Sequence, residues 1–483
     1  MVAQWLGAIA LGGLAGGALA KLAPLTAPAE GHYQIPLWLC VPFVTLLLSI
    51  ACGPLFFAKL WHRFDAAWAF FLGSLVAAYY LLALTHDHHG LHHLQHVANE
   101  YLAFIALVAG LYIASAGIVV HYGSTEQFQE GAPFGHATHG GYLGTGPLAN
   151  TVLLLLGALL ANAVGTTGAS VLLVRPFIRA NAGRLTPMHV VFFILIVSNC
   201  GGCLTPIGDP PLYLGYIKGI PFFWELQHMW ASWLIVVGGL LAVYYLYDRR
   251  VEASLRRAMQ DAYKPPAPFA AIRIRARWSS IVLGGLISAG VFIDPIIHRY
   301  HANTPPIGPW IQLGLAGLSF ALADKSLVRA NEFSFAPAKE VATLFAGIFL
   351  TMMPALTYLA EHGKDLGIDS PIKFYFATGT LSAVLDNAPT YLNFLQVALA
   401  PQDVTPDTVR AQLATGEGIA DVIAISTGAV FFGALTYIGN GPNFMVRAIA
   451  QSRGVAMPSF FAYAAWACLI LVPILVLHAL IVF

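Results

Sequence analysis

The chain has 483 residues, of which 58% are hydrophobic and 10% charged, with a formal net charge of +1 and a mean hydropathy of +0.71. Soluble domains carry about 25% charged residues, so a water-soluble protein is excluded. The absence of a basic stripe argues against a nucleic-acid partner. What remains is an integral membrane protein with lipid as its surroundings.

Apolar runs of about 20 residues, enough to cross roughly 30 Å of hydrocarbon, recur from end to end. Eleven crossings are predicted, near 4–21, 36–58, 66–84, 100–120, 187–217, 228–247, 278–296, 308–324, 338–360, 418–452 and 459–482. The first run lacks a basic leading region, so it reads as a span and not as a signal peptide. Two further apolar stretches, 146–174 and 371–400, are interrupted at Asn162–Gly168 and Asp386–Pro389. Two complete passes would need about 40 residues, so each stretch is predicted to be a re-entrant hairpin that dips in and returns. The expected fold class is therefore an all-α membrane protein of about eleven transmembrane helices and two re-entrant hairpins.

Charge placement supports that count. With a cytoplasmic N-terminus, the inside loops collect Lys59, Arg63, Arg175, Arg179, Arg184, the basic stretch Arg249–Arg277, Lys325, Arg329, Arg447 and Arg453, as the positive-inside rule requires. The C-terminus then lies outside, external or periplasmic, and the membrane is the cell (inner) membrane. One hairpin opens from each side, which makes two inverted copies. The predicted organisation is an extra span in 1–35, a first repeat over 36–247 with hairpin 146–174 and broken helix 187–217, and a basic cytoplasmic connector over 248–277. A second repeat follows over 278–483, with hairpin 371–400 and broken helix 418–452.

The two broken helices carry the chemistry. Thr205-Pro-Ile-Gly-Asp209-Pro-Pro211 returns later as Thr436-Tyr-Ile-Gly-Asn440-Gly-Pro442. Gly and Pro at this density free backbone groups that hydrocarbon cannot satisfy, so both segments must line a protein-walled or wet cavity, as in transporters built from two repeats. Around them lie Asn162, Thr166, Thr167, Ser198, Asn199, Thr205, Asn387, Thr390, Thr436 and Asn440. These neutral oxygens, with unwound carbonyls, suit a dehydrated cation. Asn162-Ala163 is matched with Asn387-Ala388. Asp209 and Asp386 are the acids deepest in the breaks, and a lone carboxylate at mid-bilayer costs about 2.5–3.5 kcal/mol. A bound cation or a bound proton offsets that cost, and the two compete for one site. Either Asp can also simply cap a half-helix.

Other candidates are weaker. Glu100 and Glu340 open helices at matching places, while Asp294, Asp324 and Asp421 sit at span ends. His86, His89, His93 and His96 share a spacing that could ligate zinc, but the run is expected in a short outside loop away from both breaks. Cys200-x-x-Cys203 reads as small residues permitting close helix approach.

Thr166-Thr-Gly-Ala-Ser170 with Arg175-Pro176, Ser198-Asn199, Thr205-Pro-Ile-Gly-Asp-Pro-Pro-Leu212, Gly219-Ile-Pro-Phe-Phe-Trp224 and Leu385-Asp-Asn-Ala-Pro-Thr390 closely resemble the NhaD-type sodium/proton antiporters. That family belongs to the ion transporter superfamily, alongside arsenite permeases and citrate and dicarboxylate carriers. The likeness covers most of the chain from about residue 98 onward. It implies an inverted-repeat fold with opposed hairpins, a homodimer held by scaffold helices, and elevator-like movement of a transport domain. It also supports Asp209, Asp386, Asn162, Asn199, Thr205 and Asn387 as site residues. The expectation is a secondary antiporter, not an enzyme, exchanging Na+ (or Li+) for H+. No cofactor is called for, the ion being cargo. The alternative is a sodium-coupled anion carrier for arsenite or a carboxylate, and a remote one is a membrane metalloenzyme built on the His run.

Overall fold

A computed structural model describes residues 2–23, 35–84, 89–123, 145–260, 271–300 and 306–483. Among them, ten helices are long and apolar enough to cross a membrane, with two apolar helical stretches shorter than that.

The first layer begins with α1 (Val2–Leu22), α2 (Val41–Phe56), α3 (Ala58–Ala83) and α4 (His89–Ala114). Helix α4 starts earlier than the predicted span at 100, so the His run from His89 onward is helical instead of an outside loop. It also stops sooner. Ile118–Gly123 forms strand β1, which pairs antiparallel with β2 (Ala271–Ala276), Ile118 facing Ala276. This ribbon is a small addition to a fold that is otherwise helical, as expected. Its cause is local: Ile118-Val-Val-His-Tyr122 is β-branched and aromatic, and Ile272 and Ile274 alternate with Arg273 and Arg275 at the period of a strand.

The second layer opens with α5 (Pro147–Ala180), whose 34 residues would stretch about 51 Å if straight. They do not. Gly165 sits at φ +78°, a conformation that only glycine adopts freely, and breaks the helix. The Thr145 amide donates to the Ala180 carbonyl at 3.1 Å, so the two ends of the segment meet. Next come α6 (Pro187–Ile196) and α7 (Pro210–Ile217), separated by an irregular stretch, and then α8 (Trp224–Met259). The last of these corrects the predicted connector, because its start at 248 continues α8 as far as Met259.

The remaining first-layer helices are α9 (Trp278–Ala289), α10 (Ile293–Tyr300), α11 (Gly308–Leu322), the short α12 (Lys325–Ala330) and α13 (Ala336–His362). Two of the predicted interfacial acids act as caps: Asp294 accepts from the amides of Ile307 and Gly308 at 2.9 Å, and Asp324 from Ser326 at 2.8 Å. Those bonds from Ser326 hold the Asp324 carboxyl below its usual range. Phe104 of α4 stacks on Phe345 of α13 at 4.6 Å.

Helices α14 (Pro371–Val384) and α15 (Asn387–Leu399) form the second hairpin. End to end they would reach about 40 Å, yet Gly363, shortly before α14, packs against Val397 and Ala400 at the far end of α15. The few residues between Gly363 and Pro371 cannot span that length, so the two limbs fold back on each other. The second layer closes with α16 (Pro406–Leu413), α17 (Gly416–Phe432), α18 (Gly441–Ser452) and α19 (Phe460–Val482). Pro in the first turn of α5, α6, α7, α14, α16 and α18 suits positions where a backbone donor is spare. Helix α17 is the most deeply buried of the long helices and α1 the least. Lipid-type surface is displayed by Leu6 and Leu14 of α1 and by Leu469 and Leu480 of α19, all exposed.

Candidate functional site

The irregular stretch between α6 and α7 and a second one, over 433–440 between α17 and α18, meet each other and the tips of the two hairpins. Asp209 is the N-cap of α7 and only 1% exposed, yet its side chain makes no bond to its own helix. It reaches three other elements instead. Oδ1 accepts from Thr166 Oγ1 at 2.8 Å and from Asn440 Nδ2 at 2.9 Å, and Oδ2 accepts from Asn387 Nδ2 at 2.6 Å. Thr166 and Asn387 open the return limbs of the two hairpins, and Asn440 is the N-cap of α18. Four helix N-termini therefore surround one carboxylate, with their positive dipole ends inward. All three donors are neutral. A pocket of about 30 Å³ lies beside Asp209, lined by Gly165, Thr166, Thr167 and Gly208 on one side and by Leu107, Leu111 and Tyr112 of the first layer on the other. That volume has room for a water-sized guest.

The two breaks are built alike. Thr205 donates to the Asn162 carbonyl at 2.6 Å, and Thr436 to the Ala383 carbonyl at 2.6 Å, each pinning a break to the outgoing limb of its hairpin. Within each break two glycines approach closely: a Cβ on Gly439 would lie 2.6 Å from the Gly433 carbonyl oxygen, and Gly208 faces the carbonyl of Gly202 in the same way. These paired bonds correct one match. Asn162 precedes its turn and answers to Ala383, whereas Asn387 follows its turn and answers to Thr166. The amide of Asn162 is spent on structure, donating to the carbonyls of Ala158 and Gly201 and accepting from the Leu204 amide at 2.8 Å.

The other predicted residues scatter around this centre. Ser198 bonds Ser170 at 2.7 Å, and its carbonyl takes a long bond of 3.5 Å from Asn440. Asn199 donates to Asn443 Oδ1 at 2.6 Å and leaves its own Oδ1 buried without a partner. Thr390 bonds back to the Asp386 carbonyl within its helix, and Thr167 is half-buried on the pocket wall. Asp386 is half-buried and caps α15, its Oδ1 accepting from the Ala388 amide at 3.0 Å. It makes no hydrogen bond to Asp209. Glu100 pairs with Lys218 at 2.6 Å, tying α4 to the end of α7.

Two groups escaped sequence reasoning. Asn443 bridges the breaks, donating to the carbonyls of Gly433 and Thr436 while accepting from Asn199. Its place directly after Gly441-Pro442 was the available signal. Asp248, fully buried on α8, pairs with Arg184 and with His189 at 3.0 Å, and accepts from Asn150 at 2.9 Å and Tyr244 at 3.3 Å. This cluster clamps the base of the first hairpin, with Asn150 and Asn181 bonded across its two ends. In the His run, His96 is exposed and lies 3.4 Å from Glu100, and the His93 ring meets Tyr80 edge-on. His86 and the side chain of His89 lie outside the described residues. Among the described residues no three His, Cys, Asp or Glu side chains converge as a metal site.

Ten apolar helices, two hairpins and a buried centre made from interrupted helices define a multi-pass membrane protein of transporter type. The family described as "Putative citrate transport" matches residues 32–483, and the chain belongs to it. Similar proteins include the "46 kDa membrane protein" of Mycobacterium leprae, 25% identical over 331 residues that cover 66% of this chain and 72% of the relative. An "Uncharacterized transporter" of Mycobacterium tuberculosis and one of Mycobacterium bovis are each 24% identical over 336 residues, with the same coverage.

Proposed function

We propose that this protein is a secondary antiporter that exchanges Na+ (or Li+) for H+, with Asp209 alternately holding the cation and the proton. The observation that carries this reading is the composition of the Asp209 site. The carboxylate is buried and oriented by one hydroxyl and two amides, none of which neutralises it. A positive ion is the partner that such a carboxylate lacks. The adjoining space of about 30 Å³ has room for a small ion beside the carboxylate. Thr166, Thr167, Asn387 and Asn440 would supply further oxygens.

The NhaD-like motifs support the same reading. Asp386, one residue from Asn387 at the second tip, is the second acid of this scheme. The two hairpins are then re-entrant, the halves 36–247 and 278–483 are inverted repeats, and the second layer moves against the first as an elevator in a homodimer. The N-terminus is cytoplasmic, the C-terminus external.

A sodium-coupled anion carrier is the second reading, favoured by the family description and by the four helix N-termini, which suit a negative group. In this chain the Asp209 carboxylate already fills that position. Reconstituted liposomes separate the two. Imposing an outward Na+ gradient should acidify the lumen, because each Na+ that leaves is exchanged for H+ that enters, as read by a trapped pH dye, in the wild type and not in Asp209→Asn. Radiolabelled citrate uptake that rises with Na+, without dye-reported proton flux, would replace the antiporter with the carrier.

A further inference from the structure

A second cavity, of about 490 Å³, lies between the two layers. Helices α2 and α13 of the first layer form one wall and the limbs α14 and α15 of the second hairpin the other, with Leu366 and Ile368 at one end. It is several times larger than an engineered apolar cavity of about 150 Å³ that takes up benzene. Apart from the Cys40 thiol, the polar side chains on its wall are Tyr358, Thr390 and Asn393. Thr390 Oγ1 is already bonded to the Asp386 carbonyl, and Asn393 Nδ2 to the Pro389 carbonyl at 2.8 Å. Everything else on the wall is Leu, Ile, Val, Phe or Ala. An ordered water wants about two to four polar partners, so this wall suits an apolar guest.

The shape of the groove identifies that guest. Its floor is buried at Phe43, Ala355, Phe394 and Val397, while Leu37, Val44, Leu48 and Leu381 along its mouth are exposed. In a chain that crosses a membrane, an exposed apolar rim along a span faces hydrocarbon. The end at Leu37 and Leu366 lies beside the exposed Lys364, Asp365 and Asp369, which places that end at the water interface. From Leu37 to Leu48 the wall is about 18 Å long, at about 2.0 Å per residue through the 3₁₀ turn Leu37–Cys40 and about 1.5 Å in α2. One leaflet contributes half of a hydrocarbon core roughly 30 Å thick, so the groove has the depth of one leaflet. We propose that it holds one acyl chain of a bilayer lipid, lodged between the first layer and the second hairpin. Thr390 and Asn393 stand on the limb that presents Asn387 to Asp209, so the acyl chain packs on an element of the buried centre whichever ion that carboxylate holds.

Photolabelling of the full-length protein tests this, in phosphatidylethanolamine and phosphatidylglycerol vesicles doped with a phospholipid that carries a diazirine in its acyl chain. Adducts are mapped by peptide mass spectrometry. Exposed Leu14 and Leu469 should be labelled in every case, as the control for ordinary bilayer contact. The groove predicts further adducts on the buried Phe43 and Phe394. Ala355→Phe and Val397→Phe each fill the floor, and should lower those adducts several-fold while the label on Leu14 and Leu469 stays. Groove labelling should be unchanged in Asp209→Asn, which keeps this result apart from the antiporter reading whatever the fate of that reading. Label on Leu14 and Leu469 with none on Phe43 or Phe394 in the wild type overturns the proposal, and that outcome needs no variant to fold. A second copy of the chain seated on the rim would give the same pattern. Floor adducts that survive both filling substitutions in folded protein overturn it too, because the label then enters by another route.

Discussion

Asp209 and Asp248 are both buried aspartates of the second layer, 1% and 0% exposed, yet they are satisfied in opposite ways. Asp248 has a guanidinium, an imidazole, an amide and a phenol around it. Asp209 has a hydroxyl and two amides. The first is a closed arrangement in which charge meets charge, and it ties α8 to both ends of the α5 hairpin. The second is closed in geometry but open in charge. Burial alone therefore does not mark a functional acid in a membrane interior. What distinguishes the two is whether the chain itself supplies the positive partner.

That contrast can be broken from either side. The largest effect is expected at Asp248→Asn, which leaves Arg184 buried beside a neutral group. Breaking a buried pair of this kind costs about 3–5 kcal/mol, so the purified variant should unfold well below the wild type in a thermal melt and express poorly. Asp209→Asn should cost less. It replaces an acceptor by an amide that faces the Asn387 donor, a mismatch of about 1–3 kcal/mol, while coupled flux disappears. If instead Asp248→Asn folds normally and loses flux, the roles of the two acids are exchanged. A smaller effect is expected from Thr205→Val and Thr436→Val. Each removes one hydrogen bond between a break and its hairpin, worth about 1 kcal/mol, and Thr436→Val should destabilise more, because the Thr436 hydroxyl also accepts from the amides of Ile438 and Gly439 at 3.3 and 3.1 Å.

Much of this centre was legible beforehand because Gly, Pro and Asn leave a mark in apolar sequence that no lipid-facing helix tolerates. The breaks at Thr205–Pro211 and Thr436–Pro442 fall where that mark predicts, and so do the interruptions of α5 and of α14–α15. The register of the hairpins was not legible. Asn162 and Asn387 look alike in sequence, but the turn falls after one and before the other, and only the backbone at Gly165 decides that. Asp248 was lost for a different reason: apolar runs are ended at the first charge, which placed a buried acid in a loop. The β ribbon was hidden because Ile118-Val-Val is apolar enough to pass as the end of a span. The alternation of Ile272, Arg273, Ile274 and Arg275 carried the strand period all along.

The finest test of the contrast concerns Asp386, where capping and charge coincide. Its Oδ1 accepts the Ala388 amide, a bond that any good N-cap residue can make. Asparagine caps about as well as aspartate, so Asp386→Asn keeps the bond and removes only the charge, and stability should change by a few tenths of a kcal/mol. Alanine removes both and should cost about 1 kcal/mol. Transport then separates the two roles, because a cap is indifferent to the first substitution and an ion-coupling acid is not. On the antiporter reading, Asp386→Asn should melt with the wild type and still lose Na+-driven proton flux in liposomes. Flux at the wild-type level in the asparagine variant, with loss only in the alanine variant, would leave Asp386 as a helix cap and Asp209 as the sole coupling carboxylate at the centre.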